Sequence, residues 1–483
     1  MVAKRYAGID QGTTSSRIMV VEEDGLCSNP FVLGHQQIYP KTNWVEHDPE
    51  ELIKNLRTCL DQVGTISAFG IDNQGESVVA WDAETGKPVY NIIVWQDSRT
   101  QNVIEQLKAE GHESWVQKKC GLPLDPYFSA SKMGWIINNV PEAQSLLSKG
   151  RLRIATTDAF FMDRLCGVYA TDYNTASRTS LLNLETLEWD SELCKLFGIP
   201  IEALPPIRPT TGIFGYCDVN GVKTPLSASI VDQFAGVFGH GCRNPGDAKA
   251  TFGTGAFMQS LSGTSCPSVG DSGLLPMLAW KFPDEPALFG LDGGVYNAVS
   301  AINWARRLGL FTEFDEINQF SKPAAILRDI IFVPALSGLG CPYWDRTAVA
   351  SWTGMSLDTE RADLMQAMIE GIAFRSASVI MAMDKVAPIG TRISIDGGMS
   401  VNPYFRQFLA NLLNREIVVP ANSELSVYGT ALLARQGVGI RSPLPASGKE
   451  LVISPETMQS QELMERFLNI LERCRGLRTI ENK

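Results

Sequence analysis

The chain carries near its start a short, distinctive stretch, Gly8-Ile9-Asp10-Gln11-Gly12-Thr13-Thr14-Ser15, whose pattern indicates a strand, a tight turn and a second strand. Apolar runs lie on both sides of its centre, so Tyr6 to Asp10 and Arg17 to Val21 are predicted to be strands joined by a tight turn. Gly12 lies in that turn, where the lack of a side chain lets the backbone approach a bound anion. The stretch is not a Walker A loop, because no Gly-Lys-Ser or Gly-Lys-Thr follows the glycine.

The predicted turn carries the chemistry of a phosphate site. The hydroxyl and N–H groups of Thr13, Thr14 and Ser15 can donate hydrogen bonds to phosphate oxygens. Arg17 is the nearest cation, and the carboxylate of Asp10 at the strand end could hold a hydrated Mg²⁺. Gly, Thr and Ser are also common in ordinary hairpin turns, so the stretch alone leaves both interpretations open.

A second strand–turn–strand pattern begins after the midpoint of the chain. Lys249 to Phe252 and Ala256 to Leu261 flank the turn Gly253-Thr254-Gly255, and turn-forming residues at 242–247 precede it. The length of the chain also suits two domains better than one. We therefore predict two similar α/β domains, residues 1–242 and 243–483, whose turns face each other across a cleft and clamp one polyphosphate.

The composition argues against several classes of protein. The 483 residues carry a net charge of −11 and a sequence pI of about 5.1, which disfavours nucleic acid or an anionic membrane as a partner. The N-terminus shows no signal-peptide pattern, and no run is expected to reach the ~18 apolar residues of a membrane span. The cysteines are scattered singly without metal-ligand spacing, so a reducing cytoplasm is the expected location.

Four further stretches place polar residues near the ends of predicted strands. Asp72-Asn73-Gln74-Gly75-Glu76 and Trp95-Gln96-Asp97 occupy the place of ligand-binding groups in open α/β sheets, although each could be a plain polar loop. Ile395 to Asn402 is a strand, a glycine turn and a helix start, which suits a flat ring or a phosphate. It could equally be a simple connection with Asn402 as the helix cap. In Asp232-Gln233, near the predicted domain junction, Asp232 is either a helix N-cap or a base for a substrate hydroxyl.

Taken together, these motifs resemble the FGGY family of carbohydrate kinases, and within it the glycerol kinases, from Gly8 to about Gly437. The resemblance implies two ribonuclease-H-like domains of the actin and Hsp70 ATPase type, with ATP and substrate in the cleft between them. It also implies ATP- and Mg²⁺-dependent phosphorylation of a terminal hydroxyl of a small polyol or sugar. The matching pieces are Asp10 to Arg17, Asp125-Pro126-Tyr127-Phe128-Ser129, Gly253-Thr254-Gly255, Val333-Pro334-Ala335, Gly338-Leu339-Gly340, Pro342-Tyr343-Trp344-Asp345 and Asp396-Gly397-Gly398.

The resemblance also implies roles for single residues. Asp232 would be the catalytic base and, with Asp10, would serve the Mg²⁺ site. The implied nucleotide contacts are Thr13, Thr14, Arg17 and Thr254 at the phosphates, and Gly398, Asn402 and Asn303 toward the nucleoside, with Asn303 standing where the family has Gln. The implied substrate contacts are Glu76, Trp95, Tyr127, Asp232, Gln233 and Phe257.

Three positions depart from the family pattern. Gly75 replaces an arginine that grips substrate hydroxyls in glycerol kinases, and Val299 replaces a glycine near the nucleotide. Gly221-Val222-Lys223 replaces a regulatory Gly-Thr-Arg segment, which puts inhibition by fructose bisphosphate in doubt. Gly75 should leave a side-chain-sized gap beside Glu76, unless an Arg or Lys from elsewhere restores the grip. We therefore expect a four- or five-carbon polyol to be preferred to glycerol.

Two alternatives stay open at this level. A kinase of a ketopentose or a sugar acid would share the family's motifs, and an actin-like or chaperone-like ATPase switch would share its nucleotide cleft. The substrate-type segments Gln74 to Glu76, Trp95 to Asp97 and Asp125 to Ser129 argue against the switch. A homodimer or homotetramer is compatible with the sequence.

Overall fold

The computed structural model describes residues 4–445 and 448–478 and has an α/β architecture built on two large sheets. The strands are β1 Arg5–Gln11, β2 Ser15–Glu22, β3 Phe31–Gly34, β4 Glu46–His47, β5 Ala68–Asn73, β6 Val78–Asp82, β7 Ile92–Ile93, β8 Leu152–Thr156, β9 Thr171–Asp172, β10 Leu182–Asn183, β11 Glu188–Trp189, β12 Ile207–Arg208, β13 Thr211–Val219, β14 Val222–Val231, β15 Ala248–Phe252, β16 Ala256–Gly263, β17 Leu275–Trp280, β18 Leu288–Val295, β19 Ile331–Val333, β20 Ser351–Thr353, β21 Arg392–Gly397, β22 Glu416–Val419 and β23 Leu451–Ile453. The α-helices are α1 Pro49–Asp61, α2 Gln101–Ala109, α3 Glu113–Cys120, α4 Ser129–Asn139, α5 Pro141–Ser148, α6 Thr157–Cys166, α7 Tyr173–Ala176, α8 Ser191–Leu196, α9 Asp232–Gly239, α10 Val299–Arg307, α11 Arg361–Val386, α12 Pro403–Leu413, α13 Leu425–Gly437 and α14 Ser460–Arg473. Short 3₁₀ helices cover Ile201–Ala203, Phe314–Ile317, Ala325–Arg328 and Gly398–Val401.

The first large sheet has the strand order β13-β14-β5-β1-β2-β3. β1, β2 and β3 form an antiparallel meander, whereas β5 runs parallel to β1 and β14 runs parallel to β5. Alternate residues of β1 face opposite sides of the sheet. Ala7 and Ile9 belong to the same buried cluster as Leu52 and Leu56 of α1, which fixes one face of the sheet against that helix.

The second large sheet repeats this arrangement within the order β17-β18-β16-β15-β21-β22-β23. β15, β16 and β18 are antiparallel neighbours, and β21 and β22 continue the sheet in parallel with β15. Both sheets therefore begin with a hairpin and add two parallel strands on the side of its first strand. This confirms the predicted internal repeat and the predicted two-domain α/β fold.

The helix α13 lies between β22 and β23 of the second sheet in the chain but packs against the first sheet. A Cβ at Gly8 of β1 would lie 2.0 Å from the carbonyl oxygen of Val427, and one at Gly429 would lie 2.0 Å from that of Ala235 in α9. Only glycine permits backbones to approach so closely. The C-terminal half of the chain thus contributes a helix that packs against the first sheet.

Among the residues that the structure describes, one helix, α11, has the length and apolarity that could cross a membrane, yet 89% of its most apolar window is buried inside the fold. Met368 and Ile372 are fully buried and belong to the core of the second domain. The position of α11 is that of a central core helix.

Candidate active site

Three carboxylates lie where the parallel strands of the first sheet end. Asp10 on β1 is opposite Asp72 on β5 in the parallel register, and Asp232 is the first residue of α9, directly after β14. Neighbouring parallel strands present their carboxyl ends at one edge of a sheet. Residues far apart in the chain are therefore brought together, with Asp10 and Asp72 buried and Asp232 half-buried.

The pKa values of all three carboxyl groups are raised. Burial, followed by the charges of Asp10 and Glu76, raises the pKa of Asp232 to about 7. Burial and the charge of Asp10 raise the pKa of Asp72 well above its ordinary value, and burial raises the pKa of Asp10 against the opposing charge of Arg17. Oδ1 of Asp72 is also buried without a hydrogen-bond partner. A bound cation would stabilise such a cluster.

The carboxylate set fits a hydrated Mg²⁺. This ion binds proteins through one or two carboxylates and keeps several waters beside the phosphates of its substrate. Asp10 and Asp232 supply such a pair. Across the residues that the structure describes, no group of three or more His, Cys, Asp or Glu side chains forms a dedicated metal cage. The assignment of Asp10 and Asp232 to Mg²⁺ stays a prediction.

Both predicted glycine–threonine turns are hairpin loops with free amides. The first joins β1 to β2 and the second joins β15 to β16. Within residues 4–445 and 448–478, no protein acceptor takes the N–H groups of Thr13, Thr14, Gly253, Thr254 or Gly255. Each loop therefore offers several unsatisfied donors to an anion.

Arg17 lies beside the first loop and is held by two carboxylates. Its Nη1 donates to Oε2 of Glu424 at 2.8 Å, and its Nε lies 3.6 Å from Oδ2 of Asp10. The side chain is 32% exposed, so the guanidinium still reaches solvent. Glu424 directly precedes α13, and the ion pair therefore joins the two halves of the chain beside the predicted phosphate site.

An aromatic wall adjoins the first loop. The rings of Trp95 and Tyr127 lie 5.5 Å apart at 70°, and Nε1 of Trp95 donates to Oγ1 of Thr13 at 3.0 Å. The predicted substrate and phosphate residues are thus directly connected. Phe257 on β16 is 37% exposed, and Oε1 of Gln233 is buried without a partner, so this acceptor is free for a ligand hydroxyl.

The structure contradicts one expectation about Gly75. A Cβ at this position would lie 2.7 Å from Cγ2 of Val231 and 3.2 Å from Cγ of Arg178. The expected side-chain-sized gap beside Glu76 is therefore wrong, because these two side chains fill it. Another arginine does approach Glu76, since Nε of Arg178 donates to its Oε1 at 2.5 Å.

The predicted nucleoside residues occupy the second domain. Asn303 on α10 and Gly398 after β21 are exposed, and a Cβ at Gly398 would lie 3.0 Å from Cγ2 of Val299. The valine that departs from the family pattern therefore borders this surface. Asn402 caps α12 with Oδ1 and donates from Nδ2 to the carbonyl oxygen of Ile317 at 2.8 Å. Its side chain acts as a helix cap, and its nucleotide contact stays a prediction.

Sequence reasoning missed three buried charged residues near the site. Lys249 is 4% exposed and donates to Oγ1 of Thr251 at 2.9 Å. Asp292 is 5% exposed and accepts from Nε2 of Gln259 at 2.6 Å. The third is Arg178. A charged residue inside an apolar strand could have marked Lys249 and Asp292, whereas Arg178 follows a short helix and had no comparable signal.

Comparison with known proteins agrees with this geometry. Residues 5–239 match the model of the FGGY family of carbohydrate kinases, N-terminal domain, and residues 248–436 match its C-terminal domain. A glycerol kinase of Citrifermentans bemidjiense is 39% identical over 89% of this chain and 90% of that protein. A glycerol kinase of Pseudothermotoga lettingae is 35% identical over 99% of both.

The same relationship is visible in three dimensions. The crystal structure of Plasmodium falciparum glycerol kinase with ADP superposes with a TM-score of 0.92 at 29% identity, covering 98% of each chain. The two family models together span most of the residues that build both sheets and both loops. This chain belongs to the FGGY family of carbohydrate kinases.

Proposed function

We propose that this kinase transfers the γ-phosphoryl group of ATP to a terminal hydroxyl of a short, neutral polyol. The position of Asp232 carries the proposal. Its charge interacts with Asp10 beside the first loop and with Glu76 beside the aromatic wall. Among the described residues, its carboxylate accepts one hydrogen bond, from the N–H of Gln233 at 2.7 Å. It is therefore free to accept a proton from a substrate hydroxyl.

The residues divide the work of phosphoryl transfer between them. Asp232, with a pKa of about 7, would orient the hydroxyl and take its proton as the new P–O bond forms. The transition state is loose, so positioning and charge neutralisation provide most of the catalysis. The free amides of the two loops and the guanidinium of Arg17 would hold the phosphates. When bound, Mg²⁺ would neutralise charge on the phosphate oxygens. Closure of the domains would exclude water as a competing acceptor.

The charges of the pocket favour a neutral substrate over a sugar acid. Glu76, Asp232 and Asp292 are carboxylates, whereas Arg178 and Lys249 are buried and already bonded to protein groups. An anionic substrate would be repelled, but hydroxyl groups would find acceptors. A neutral ketopentose stays an alternative that substrate assays must decide.

Glycerol is the first polyol to test, because the relatives compared above are named glycerol kinases. Gly75 lacks the arginine grip, and a hydrogen bond to a charged group contributes roughly 1.5–3 kcal/mol. Its loss would weaken glycerol binding about 10- to 150-fold. With the gap filled, this loss predicts weak binding of glycerol, and the preference for four- or five-carbon polyols stays a prediction for the substrate assays. Mg²⁺ dependence, the cytoplasmic location and an oligomeric state stay predictions.

A coupled assay of ADP release tests the proposal across three- to six-carbon polyols, ketopentoses and sugar acids. We expect ADP release to depend on an added neutral polyol. Matched rates on gluconate-type acids would contradict the neutral pocket, and equal rates without any acceptor would indicate an ATPase switch.

A further inference from the structure

Arg178 is a fully buried cation at the polyol end of the site. Its side chain is 1% exposed, and Nε donates to Oε1 of Glu76 at 2.5 Å. Nη1 lies 2.8 Å from Sδ of Met277 and 4.0 Å from Oδ2 of Asp292. Its guanidinium also lies 5.7 Å from the ring of Tyr127. These contacts bind Arg178 to the protein and leave it too deeply buried to grip a substrate hydroxyl itself.

Among the described residues, only one carboxylate oxygen of Glu76 accepts a hydrogen bond from a protein group. Its side chain is 4% exposed, and the bond from Arg178 occupies Oε1. Within the described part of the chain, no protein group donates a hydrogen bond to Oε2. This oxygen is also not one of the fully buried atoms without a partner, so it remains accessible. Oε2 is therefore the oxygen that can accept a hydroxyl from the cleft.

Gly75 gives the Arg178 side chain its room. A Cβ there would lie 3.2 Å from Cγ of Arg178 and 2.7 Å from Cγ2 of Val231, which immediately precedes Asp232. A larger residue at position 75 would therefore displace the Arg178 stem or shift the segment that carries Asp232. The position of the buried Arg178 therefore depends on the absence of a side chain at Gly75.

We infer that Arg178 is a positioning residue that holds Glu76 with one oxygen toward the polyol, and that Gly75 is required because it leaves space for Arg178. The inference rests on the proposed function. A buried carboxylate that loses its hydrogen-bonded partner is strongly disfavoured, so removal of Arg178 should turn Glu76 away from its position beside the polyol. Recognition of polyol hydroxyls then depends on this pair instead of on an arginine that contacts the substrate.

The test is a double-mutant cycle on Glu76→Gln and Arg178→Met, with KM and kcat measured separately for polyol and for ATP. Because Arg178 acts through Glu76, Arg178→Met should raise the polyol KM about 10- to 100-fold and leave the ATP KM within about twofold. The double variant should be no worse than Glu76→Gln alone, since both buried charges are gone. Arg178→Lys, which keeps the charge, should lie between wild type and Arg178→Met.

Arg435→Met is the control, because Arg435 is likewise a buried arginine, 5% exposed, that pairs with a glutamate at 2.9 Å, although this glutamate, Glu23, is 37% exposed. It should lower thermal stability without a selective rise in polyol KM. The inference would be overturned if the losses of the two single variants multiply in the double variant. It would also be overturned if Arg178→Met leaves the polyol KM unchanged. If Arg178→Met does not fold, the polyol KM of the double variant is compared with that of Glu76→Gln, and a higher KM in the double variant would contradict the inference. A wild type inactive on every polyol would instead refute the proposed function.

Discussion

The second loop contains two glycines, Gly253 and Gly255, whose substitution should affect nucleotide binding and folding differently. Gly253 is exposed, and a Cβ there would have the carbonyl oxygen of Gly255 as its nearest neighbour, at 3.9 Å. Gly255 is buried, and its Cβ would lie 2.6 Å from the carbonyl oxygen of Val295. Gly253→Ala should therefore add a methyl group to the open side of the loop, whereas Gly255→Ala should force the loop away from β18.

The magnitudes follow from these distances. Overpacking of the kind expected at Gly255 costs about 1–3 kcal/mol of folding free energy, which lowers Tm by several degrees in a domain of this size. Gly253→Ala should change stability by less than about 1 kcal/mol. If the free amides bind phosphate, the added methyl group should cost about one charge-assisted hydrogen bond. That is roughly 1.5–3 kcal/mol, or about 10- to 150-fold in ATP affinity.

Calorimetric titration with a non-hydrolysable ATP analogue and Mg²⁺, combined with thermal unfolding, separates the two effects. Gly253→Ala should show a wild-type Tm and much weaker nucleotide binding, with polyol affinity retained. Gly255→Ala should show a lower Tm. Wild-type nucleotide affinity in a folded Gly253→Ala protein would refute the assignment of this loop to the phosphates.

Three further substitutions test other parts of the site. Asp232→Asn should retain fold and ATP binding but lose roughly 10²- to 10⁴-fold in kcat, because the proton acceptor is gone; a near-normal kcat would remove Asp232 from that role. Gly75→Arg should lower kcat/KM for every polyol, because its Cβ would already meet Val231 and Arg178, and a gain on glycerol would show that the pocket adapts. Lys132→Met should lower Tm and raise the polyol KM, because the buried Nζ of Lys132 donates to the carbonyl oxygens of Pro126, Tyr127 and Phe128 at 2.8, 2.6 and 2.9 Å. An unchanged polyol KM in that variant would limit Lys132 to stability.

The fold was largely predictable because its signals are local. The strand–turn–strand pattern around Gly12 and its repeat around Thr254 gave β1–β2 and β15–β16, and Asn402 before a proline gave the start of α12. The packing of α13 against the first sheet was not predictable. It depends on close backbone contacts of Gly8 and Gly429 with residues hundreds of positions away or in another helix, which no local pattern encodes.

The resemblance supplied the candidate site residues, whose roles stay predictions, and sequence reasoning failed where side chains compete for space. Asp10 and Asp232 lie at the same edge of the first sheet, because Asp10 is near the end of β1 and Asp232 directly follows β14. The predicted gap at Gly75 was wrong because the absence of a side chain does not tell which neighbouring residues fill that space. Arg178, about a hundred residues away in the chain, fills it, and only the three-dimensional structure identifies that residue.

The most direct test of the central claim is to follow phosphorus by NMR while wild-type protein consumes ATP and Mg²⁺ in the presence of a neutral polyol. The account predicts that the γ-phosphate signal is replaced by that of a phosphate monoester on a terminal carbon, in step with ADP formation. The Asp232→Asn variant should form this ester far more slowly. Release of inorganic phosphate in place of the ester would contradict the account and would mark the chain as an ATPase.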